Sequence, residues 1–200
     1  MSVKTVLARY AERCINFLAD ACEELASRRF YRFPLGRRPW ADPSVYLGLW
    51  EKAKSEAYPV VDEYERETGY AIDPDWFHRL ALLTQVVVKD LDICYQHGRL
   101  LYATLSQYCA HHRGTMVSVL ETGTARGFSA LCMAKALEDA GCCGRIVTFD
   151  VLPHTARMFW NCVADAEGPC TREELLTQYR PLIEKYIVFH QGDTKRELKK

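Results

Sequence analysis

The sequence predicts an α/β fold in which a mainly helical region precedes a doubly wound parallel sheet. Up to about residue 113, apolar residues recur at a spacing of three and four, which is typical of amphipathic helices. After Gly114, short β-branched runs alternate with helical patterns, and this alternation predicts parallel βαβ units. We therefore divide the chain into a helical region, residues 1–113, and part of an α/β domain, residues 114–200.

The composition is that of a globular protein. The chain has 200 residues, of which 48% are hydrophobic and 26% charged, so disorder and collagen-like repeats are excluded. Lys and Arg number 26, as do Asp and Glu, so the chain lacks the positive charge of a general nucleic-acid binder. No apolar run is long enough to span a bilayer, and the charged N-terminus is unlike a signal peptide. We expect neither a nucleic-acid partner nor a membrane partner.

The cysteines indicate a reducing compartment. Their number, nine, is odd, and no two of them are spaced as CxxC. A disulfide framework has an even count in a short secreted chain. We therefore expect reduced thiols in a cytoplasmic protein, most of them as small core residues.

The first helix carries one apolar stripe. Its members recur at helical spacing along the chain from Val3: Val6, Leu7, Tyr10, Cys14, Phe17, Leu18, Ala21 and Leu25. The stripe can pack on the rest of the chain or on a second copy in a homodimer. We favour packing within the chain, and expect residues 1–113 to serve as a lid, a packing layer or a dimerisation element.

Residues 28–40 combine five arginines with four aromatic side chains and contain no acid. Such a mixture can hold phosphates or stack on bases. One short patch on a neutral chain is weak support for that role. We favour an arginine-rich surface loop, whose charge is balanced by the acidic run over residues 51–75.

Two helix starts carry capping signals. Asp73 precedes Pro74, which is the pattern of an N-cap carboxylate and a first-turn proline. Thr171 and Glu174 match a capping box. We expect the first of these helices to continue through its apolar positions Leu80, Leu83, Val87 and Leu91, and the second to continue to residue 185.

Cys109, His111 and His112 lie close together near the end of another helix, which stops near Gly114. These residue types bind metals. A structural zinc site needs a second pair of ligands, which this helix end does not offer. We expect no metal here.

Three strands and two helices make up the second half. Short β-branched runs predict strands over residues 115–120, 145–149 and 186–190. Apolar positions at helical spacing predict helices over residues 127–140 and 171–185. We find no internal repeat and no low-complexity segment.

The segment Val119–Ala130 has the pattern of a ligand-binding turn. A strand ends at Glu121, and the turn that follows contains Gly123 and Gly127 before a helix begins. Glycine allows a positive φ and a close approach of backbone to ligand. The free N–H groups of the helix start favour a negative ligand group. Asp150 and Gly192-Asp193 end the next two strands, so three acids meet at one edge of the sheet.

The spacing of the glycines disfavours a dinucleotide site, which would show GxGxxG. This chain has Gly-x-x-x-Gly, preceded by an acid two residues before the first glycine. A carboxylate there repels a pyrophosphate and suits a ligand with a cationic end. S-adenosylmethionine has an ammonium, a sulfonium, a ribose and a carboxylate, so the pattern favours this ligand over NAD.

The segment from Glu121 to Gly127, ETGTARG, resembles motif I of the class I S-adenosylmethionine-dependent methyltransferases, usually [DE]xGxGxG. Asp150 matches the acid that ends the second strand of that family, and Gly192-Asp193 resembles the turn after its third strand. Thr124, Arg126 and Ser129 are similar to the branch of family-24 and cephalosporin-hydroxylase-like proteins. The resemblance covers residues 115–200, and Ala125 replaces the middle glycine.

The resemblance implies a Rossmann-like fold and a set of cofactor contacts. Glu121 would fix the loop and the methionine ammonium, and Ser129 would hold the carboxylate or else only cap the helix. Asp150 would hold the ribose hydroxyls, and Asp193 would face the adenine or else form an Asx turn. The backbone of the motif loop would pass along the methionine and ribose of the cofactor; its residues there are Thr122, Gly123, Thr124 and Gly127.

By this resemblance, the protein is an enzyme that transfers a methyl group from S-adenosylmethionine to a small molecule, at oxygen, by in-line displacement. We assign no catalytic residue. His154 is the histidine near the predicted site, and we favour a loop role for it over that of a base. Trp160 is expected to pack on the sheet. The family has seven strands and three are recognisable here, so we expect a fragment of a longer enzyme. The alternative is a non-catalytic fragment that binds a ligand or partner.

Overall fold

A computed structural model of the protein describes residues 14–19, 21–22 and 34–198. No helix in these ranges is long and apolar enough to cross a membrane. The remaining residues include most of the predicted first helix and the first half of the arginine-rich segment 28–40. The predictions for these two segments therefore lie largely outside the described residues.

The described chain has the predicted order, with helices first and a βαβαβ segment after them. The helices of the first part are α1 (Pro43–Ser55), α2 (Pro59–Thr68), α3 (Pro74–Thr84) and α4 (His97–His111). The second part contains β1 (Val117–Thr122), α5 (Phe128–Asp139), β2 (Gly144–Asp150), α6 (Arg172–Leu175), α7 (Arg180–Tyr186), β3 (Ile187–Gln191) and α8 (Thr194–Glu197). Short 3-10 turns lie at Val163–Glu167 and Thr177–Tyr179.

The sheet is parallel and has the order β1-β2-β3 in the described chain. Val117 lies opposite Gly144 at the start of the first pair, and Asp150 lies opposite Gln191 at the end of the second. The carboxyl ends of the three strands therefore meet at one edge. The fold is α/β and Rossmann-like, as the sequence predicts.

One face of the sheet is covered by helices. Helices α5 and α7 both contact β2 and β3, and they contact each other. Helix α4 packs on the outside of α5. A single hydrophobic core joins the two parts of the chain, from Phe77 in α3 to Leu131 in α5 and Ile146 in β2, all at most 1% exposed.

Two predicted helices end earlier than expected. Helix α3 begins at the predicted cap, where Asp73 accepts a hydrogen bond from the Trp76 amide at 2.7 Å. It stops at Thr84 instead of continuing to Leu91, which is 76% exposed. The run of three valines from Val86 is unfavourable for a helix because β-branched side chains lose rotamer freedom there.

The predicted helix 171–185 is divided into two. The capping box of Thr171 and Glu174 is confirmed. Helix α6 nevertheless ends at Leu175, and α7 starts afresh at Arg180 with Pro181 in its first turn. Proline has no N–H to donate and clashes with the carbonyl four residues earlier, so it is accepted in a first turn and breaks a continuing helix.

Two further expectations concern side-chain burial. All nine cysteines are free thiols in the structure. Five of the nine lie in or against the core: Cys109, Cys132 and Cys162 are buried, and the half-buried Cys142 and Cys170 pack against them and their neighbours. In the described part of the first helix, Phe17 and Leu18 are 72% and 62% exposed. These two members of the stripe do not pack on the rest of the described chain.

Candidate functional site

The candidate site is the turn between β1 and α5, at the carboxyl edge of the sheet. Three residues of this turn have positive φ: Gly123 at +86°, Ala125 at +45° and Gly127 at +89°. The amides of Gly123 and Thr124 both donate to the Phe149 carbonyl of β2, at 2.7 and 3.2 Å. The turn is therefore tied to the neighbouring strand while its backbone takes conformations that glycine favours.

The two glycines of the turn have different surroundings. At Gly127, a Cβ would lie 3.1 Å from Leu176 Cδ1, so this glycine permits the turn to approach the segment before α7. At Gly123, a Cβ would have no non-neighbouring atom of the described chain within 4 Å. Gly123 is exposed, so its backbone is open to a ligand.

Asp150 holds the turn from the end of β2. Its Oδ2 accepts a hydrogen bond from the Ala125 amide at 2.6 Å, and its Oδ1 accepts one from the Leu152 amide at 2.7 Å. The side chain is buried, with 8% of the residue exposed. Asp150 thus lies beside the motif loop, as the sequence predicts, and both of its oxygens contact the chain's own backbone.

Arg172, which the sequence reasoning missed, holds the same turn from the other side. Its Nε donates to the Ala125 carbonyl at 2.9 Å. Asp150 and Arg172 therefore fix both the N–H and the C=O of Ala125, the residue midway between the two glycines of the turn. An alanine at positive φ is strained, and these two hydrogen bonds keep it in place.

Glu121 is connected to the turn through two threonines. Thr148 Oγ1 donates to Glu121 Oε2 at 2.5 Å, and Thr124 Oγ1 lies 2.6 Å from Thr148 Oγ1. Thr124 is only 4% exposed. Its hydroxyl and its backbone are both engaged within the chain, since its amide donates to Phe149 and its carbonyl accepts from the Gly127 amide at 2.7 Å. Burial raises the pKa of the Glu121 carboxyl, with a smaller rise from Asp150, while hydrogen bonds from Thr148 and Ser129 oppose that rise.

Ser129 lies in the first turn of α5 and faces Glu121. The N-cap of this helix is Gly127, and no side chain caps it. The alternative that Ser129 only caps the helix is therefore wrong. Its hydroxyl instead lowers the pKa of the Glu121 carboxyl through a hydrogen bond. Thr122, the last residue of β1, is exposed at the same edge.

The turn after β3 joins the same edge. The amide of Gly192 donates to the Asp150 carbonyl at 2.8 Å, which brings Asp193 close to the end of β2. Asp193 is half-buried, and its carbonyl accepts from the Glu197 amide at 2.9 Å in α8. The structure thus brings Glu121, Asp150 and Asp193 to one rim of the sheet.

Two further polar side chains, those of Arg126 and Asn161, connect the segment after β2 to other parts of the chain. Arg126 of the motif loop donates through Nε to the Trp160 carbonyl at 2.7 Å. Asn161 accepts from Tyr46 Oη and from the Val88 amide, both at 3.0 Å, and so ties the helical region to the α/β part. The local sequence gives no signal for these contacts, because they join residues 34 to 115 positions apart.

Trp160 packs in the core, as predicted, and is fully buried. His154 does not have the environment of a general base. Its Nδ1 contacts Nη1 of Arg172, which can only donate, so Nδ1 accepts and Nε2 carries the proton. An imidazole in this state has no lone pair left to take a proton from an acceptor.

The described residues contain no group of three or more His, Cys, Asp or Glu side chains that could hold a metal ion. At the end of α4, Cys109 is buried while His111 and His112 are exposed. The Nδ1 atoms of these histidines lie 2.7 and 2.9 Å from the carbonyls of Gln107 and Tyr108. Each imidazole is thus engaged with its own helix.

The fold and the rim define an α/β protein with a candidate ligand site in the turn after its first strand. No family model and no curated protein matches the chain. Among solved structures, it is similar to the SAH-bound methyltransferase PaMTH1 of Podospora anserina, at 17% identity and a TM-score of 0.40. The match covers 70% of this chain and 50% of that one, so the chain spans about half of that protein. The function proposed next therefore rests on the residues of the rim.

Proposed function

We propose that the protein binds S-adenosylmethionine at the rim and transfers its methyl group to a hydroxyl of a small molecule. The observation that carries this proposal is the turn at Gly123–Gly127. Its backbone is open at Gly123, it begins a helix at Gly127, and the acid that ends the adjacent strand fixes its shape. A turn of this kind at the carboxyl edge of a parallel sheet is where such folds bind ligands.

The residues present suit an adenosyl amino acid. Glu121 offers a carboxylate at the end of β1 for the ammonium, and Ser129 offers a hydroxyl on α5 for the carboxylate. Asp150 has both oxygens engaged by amides, and each oxygen keeps a further lone pair for a ribose hydroxyl. Asp193 would face the adenine amino group from the turn after β3.

When bound, S-adenosylmethionine would supply a methyl group on a positively charged sulfur. The contribution of this chain is to hold that group in line with an acceptor oxygen, since alignment provides much of the rate of a displacement. No base is assigned, because the Nδ1 lone pair of His154 is already used. The free thiols favour a reducing compartment such as the cytoplasm.

A second candidate function is ligand binding without turnover. In the described sheet, β1 is an edge strand that pairs with β2 alone. In a doubly wound sheet, the strand across the switch point from the first one carries much of the substrate site. The open edge of β1 therefore favours a binding role for this chain when it acts alone.

The test is a calorimetric titration with S-adenosylhomocysteine, adenosine and NADH. We expect S-adenosylhomocysteine to bind with a Kd of about 1 μM, or roughly −8 kcal/mol. Glu121→Gln should weaken this binding by about tenfold, because it removes a charge that pairs with the ammonium. The same change should leave adenosine binding unaltered, since adenosine has no amino-acid part.

Binding of NADH without S-adenosylhomocysteine would contradict the proposal. Turnover separates the two candidate functions. Transfer of a labelled methyl group from S-adenosylmethionine to any of a panel of phenols and catechols would show that the protein is a methyltransferase. Tight binding with no transfer would show the binding role.

A further inference from the structure

A small cavity lies beside the motif turn, between the segment after β2 and α7. Its volume is about 280 Å³, close to the lower end of the range for small-molecule sites, about 300–1,000 Å³. Its inner wall combines two basic side chains with three apolar ones: His154, Arg172, Leu176, Ile183 and Phe189. Its rim is formed by the exposed residues Thr155, Glu173, Arg180 and Glu184.

Arg172 is a buried cation without an ion-pair partner in the described chain. The residue is 1% exposed. Its guanidinium lies 5.5 Å from the centres of both the Trp160 and the Phe189 rings. Nε donates to Ala125 and Nη1 to His154, while Nη2 is buried and has no partner. Burial lowers the pKa of Arg172 to about 10 while the nearby Asp150 carboxylate opposes that fall, so the group is still protonated at neutral pH.

His154 presents a second unpaired donor. Because Nδ1 accepts from Arg172, the proton of the neutral imidazole is on Nε2. The Nε2 atom is buried and has no hydrogen-bond partner in the described chain. Two touching side chains therefore share one positive charge and present unpaired N–H groups. Buried donors without acceptors are rare in folded proteins, and an unpaired buried charge is costly.

We propose that this cavity binds the carboxylate of a small apolar organic acid, with Arg172 and His154 as the hydrogen-bond donors. A carboxylate supplies acceptors for the two unpaired donors and a negative charge in direct contact with the guanidinium. Leu176, Ile183 and Phe189 provide apolar walls for a ring or a branched chain. The proposal goes beyond the cofactor function, and neither depends on the other.

Water and inorganic phosphate match the cavity less well than an organic acid does. A water molecule can accept two hydrogen bonds, but it adds no negative charge beside Arg172 and fills only about 30 Å³. Inorganic phosphate has no apolar body to contact Leu176, Ile183 and Phe189, and it carries about two negative charges at neutral pH. At the rim, Glu173 is paired with Arg180 at 3.1 Å, so no free cation of the described rim would balance the second charge. A monovalent acid with an apolar body fits both the floor and the walls.

The ligand would also be linked to the motif turn. The same guanidinium that would hold the carboxylate donates to the Ala125 carbonyl. An acid in the cavity would therefore stabilise Arg172 where it holds the turn. Binding of the acid is expected to raise the thermal stability of the protein.

The experiment compares sodium benzoate with benzamide, its neutral analogue of nearly the same shape, on the full chain at matched ionic strength. Calorimetry and thermal unfolding are the readouts. We expect benzoate to bind and to raise the Tm, and benzamide to bind more weakly by about tenfold or more. Equal binding of the two, or no binding of benzoate, would overturn the proposal. So would binding of inorganic phosphate or adenosine in place of benzoate.

Variants locate the binding. His154→Gln keeps an acceptor for Arg172 and a donor for the ligand, so it should retain benzoate binding within about threefold. His154→Leu removes both and should lose about tenfold or more. Arg180→Gln, on the rim, should change little. Loss of binding in Arg180→Gln with retention in His154→Leu would place the acid at the rim and overturn the proposal. If His154→Leu fails to fold, the benzoate and benzamide comparison on the parent still decides the question.

Discussion

Replacement of Asp150 should destabilise the protein even without ligand, because its carboxylate is part of the motif turn. Two backbone amides, those of Ala125 and Leu152, donate to it at 2.6 and 2.7 Å. A hydrogen bond to a charged group contributes about 1.5–3 kcal/mol. Leu152 is buried, so its amide would be left unpaired, whereas Ala125 is exposed and its amide can bind water instead. We therefore expect Asp150→Ala to lower the free energy of unfolding by about 3 kcal/mol.

The assay is urea unfolding followed by circular dichroism, with two comparison variants. Asp150→Asn keeps one acceptor oxygen and should lose less, about 1–2 kcal/mol. Asp73→Ala removes an exposed carboxylate that accepts one amide at the start of α3, and should cost about 1 kcal/mol. A loss in Asp150→Ala no larger than the loss in Asp73→Ala would show that the Asp150 carboxylate does not stabilise the turn. If Asp150→Ala also binds the ligand more weakly, its loss of stability has to be taken into account before the weaker binding is attributed to a lost contact with the ribose.

Three further predictions concern the turn and its supports. In urea unfolding, Gly127→Ala should lower the free energy of unfolding by about 1 kcal/mol more than Gly69→Ala does. Both glycines have positive φ, but only at Gly127 would the added Cβ lie 3.1 Å from Leu176. Equal losses in the two variants would contradict this close approach. Burial raises the pKa of Glu121 from its usual 4.5, so parent stability should fall relative to Glu121→Gln as pH rises above 4.5 through the folded-state pKa. A pH-independent difference between these two proteins in urea titrations at pH 4–7 would contradict this. Asn161→Gly keeps a residue that suits the positive φ of this position but removes three hydrogen bonds, so it should lower the free energy of unfolding by about 2–4 kcal/mol. A loss below about 1 kcal/mol would show that Asn161 contributes little to holding the helical region on the α/β part.

The sequence was informative about features that are local in the chain. The strands, the cap at Asp73 and the capping box at Thr171 depend on neighbouring residues, and the structure has all of them. The glycines of the motif turn were predicted for the same reason, because a positive φ is a property of single residues. Helix ends were less accurate where a valine run or a proline interrupted an apolar pattern.

The features that the sequence did not reveal depend on contacts between distant residues. Arg172 looked like an ordinary first-turn residue of a helix, yet its side chain reaches Ala125, 47 positions earlier. Thr148 looked like one member of a β-branched strand, yet it joins Glu121 to Thr124. No periodicity or spacing signals such pairs, since they exist only once the strands have been brought together by the fold.

The fold also brings charged residues into the motif region that lie far from it in the sequence. Along the sequence, Glu121 and Asp150 are two acids that mark one rim. In the structure, Arg172 enters the same region and is buried beside it. The region thus contains a cation that no sequence motif predicts, and this cation would bind the carboxylate of the proposed organic acid.

The proposed function depends above all on the turn Gly123–Gly127 being a binding site for an adenosyl amino acid. The most direct measurement is a titration of the ¹⁵N-labelled protein with S-adenosylhomocysteine, followed by the amide resonances in solution NMR. We predict that the largest shifts fall on Gly123, Ala125 and the amides after Asp150, and that they saturate together with one ligand bound. Shifts centred on another part of the chain, or no shifts at millimolar ligand, would contradict the claim.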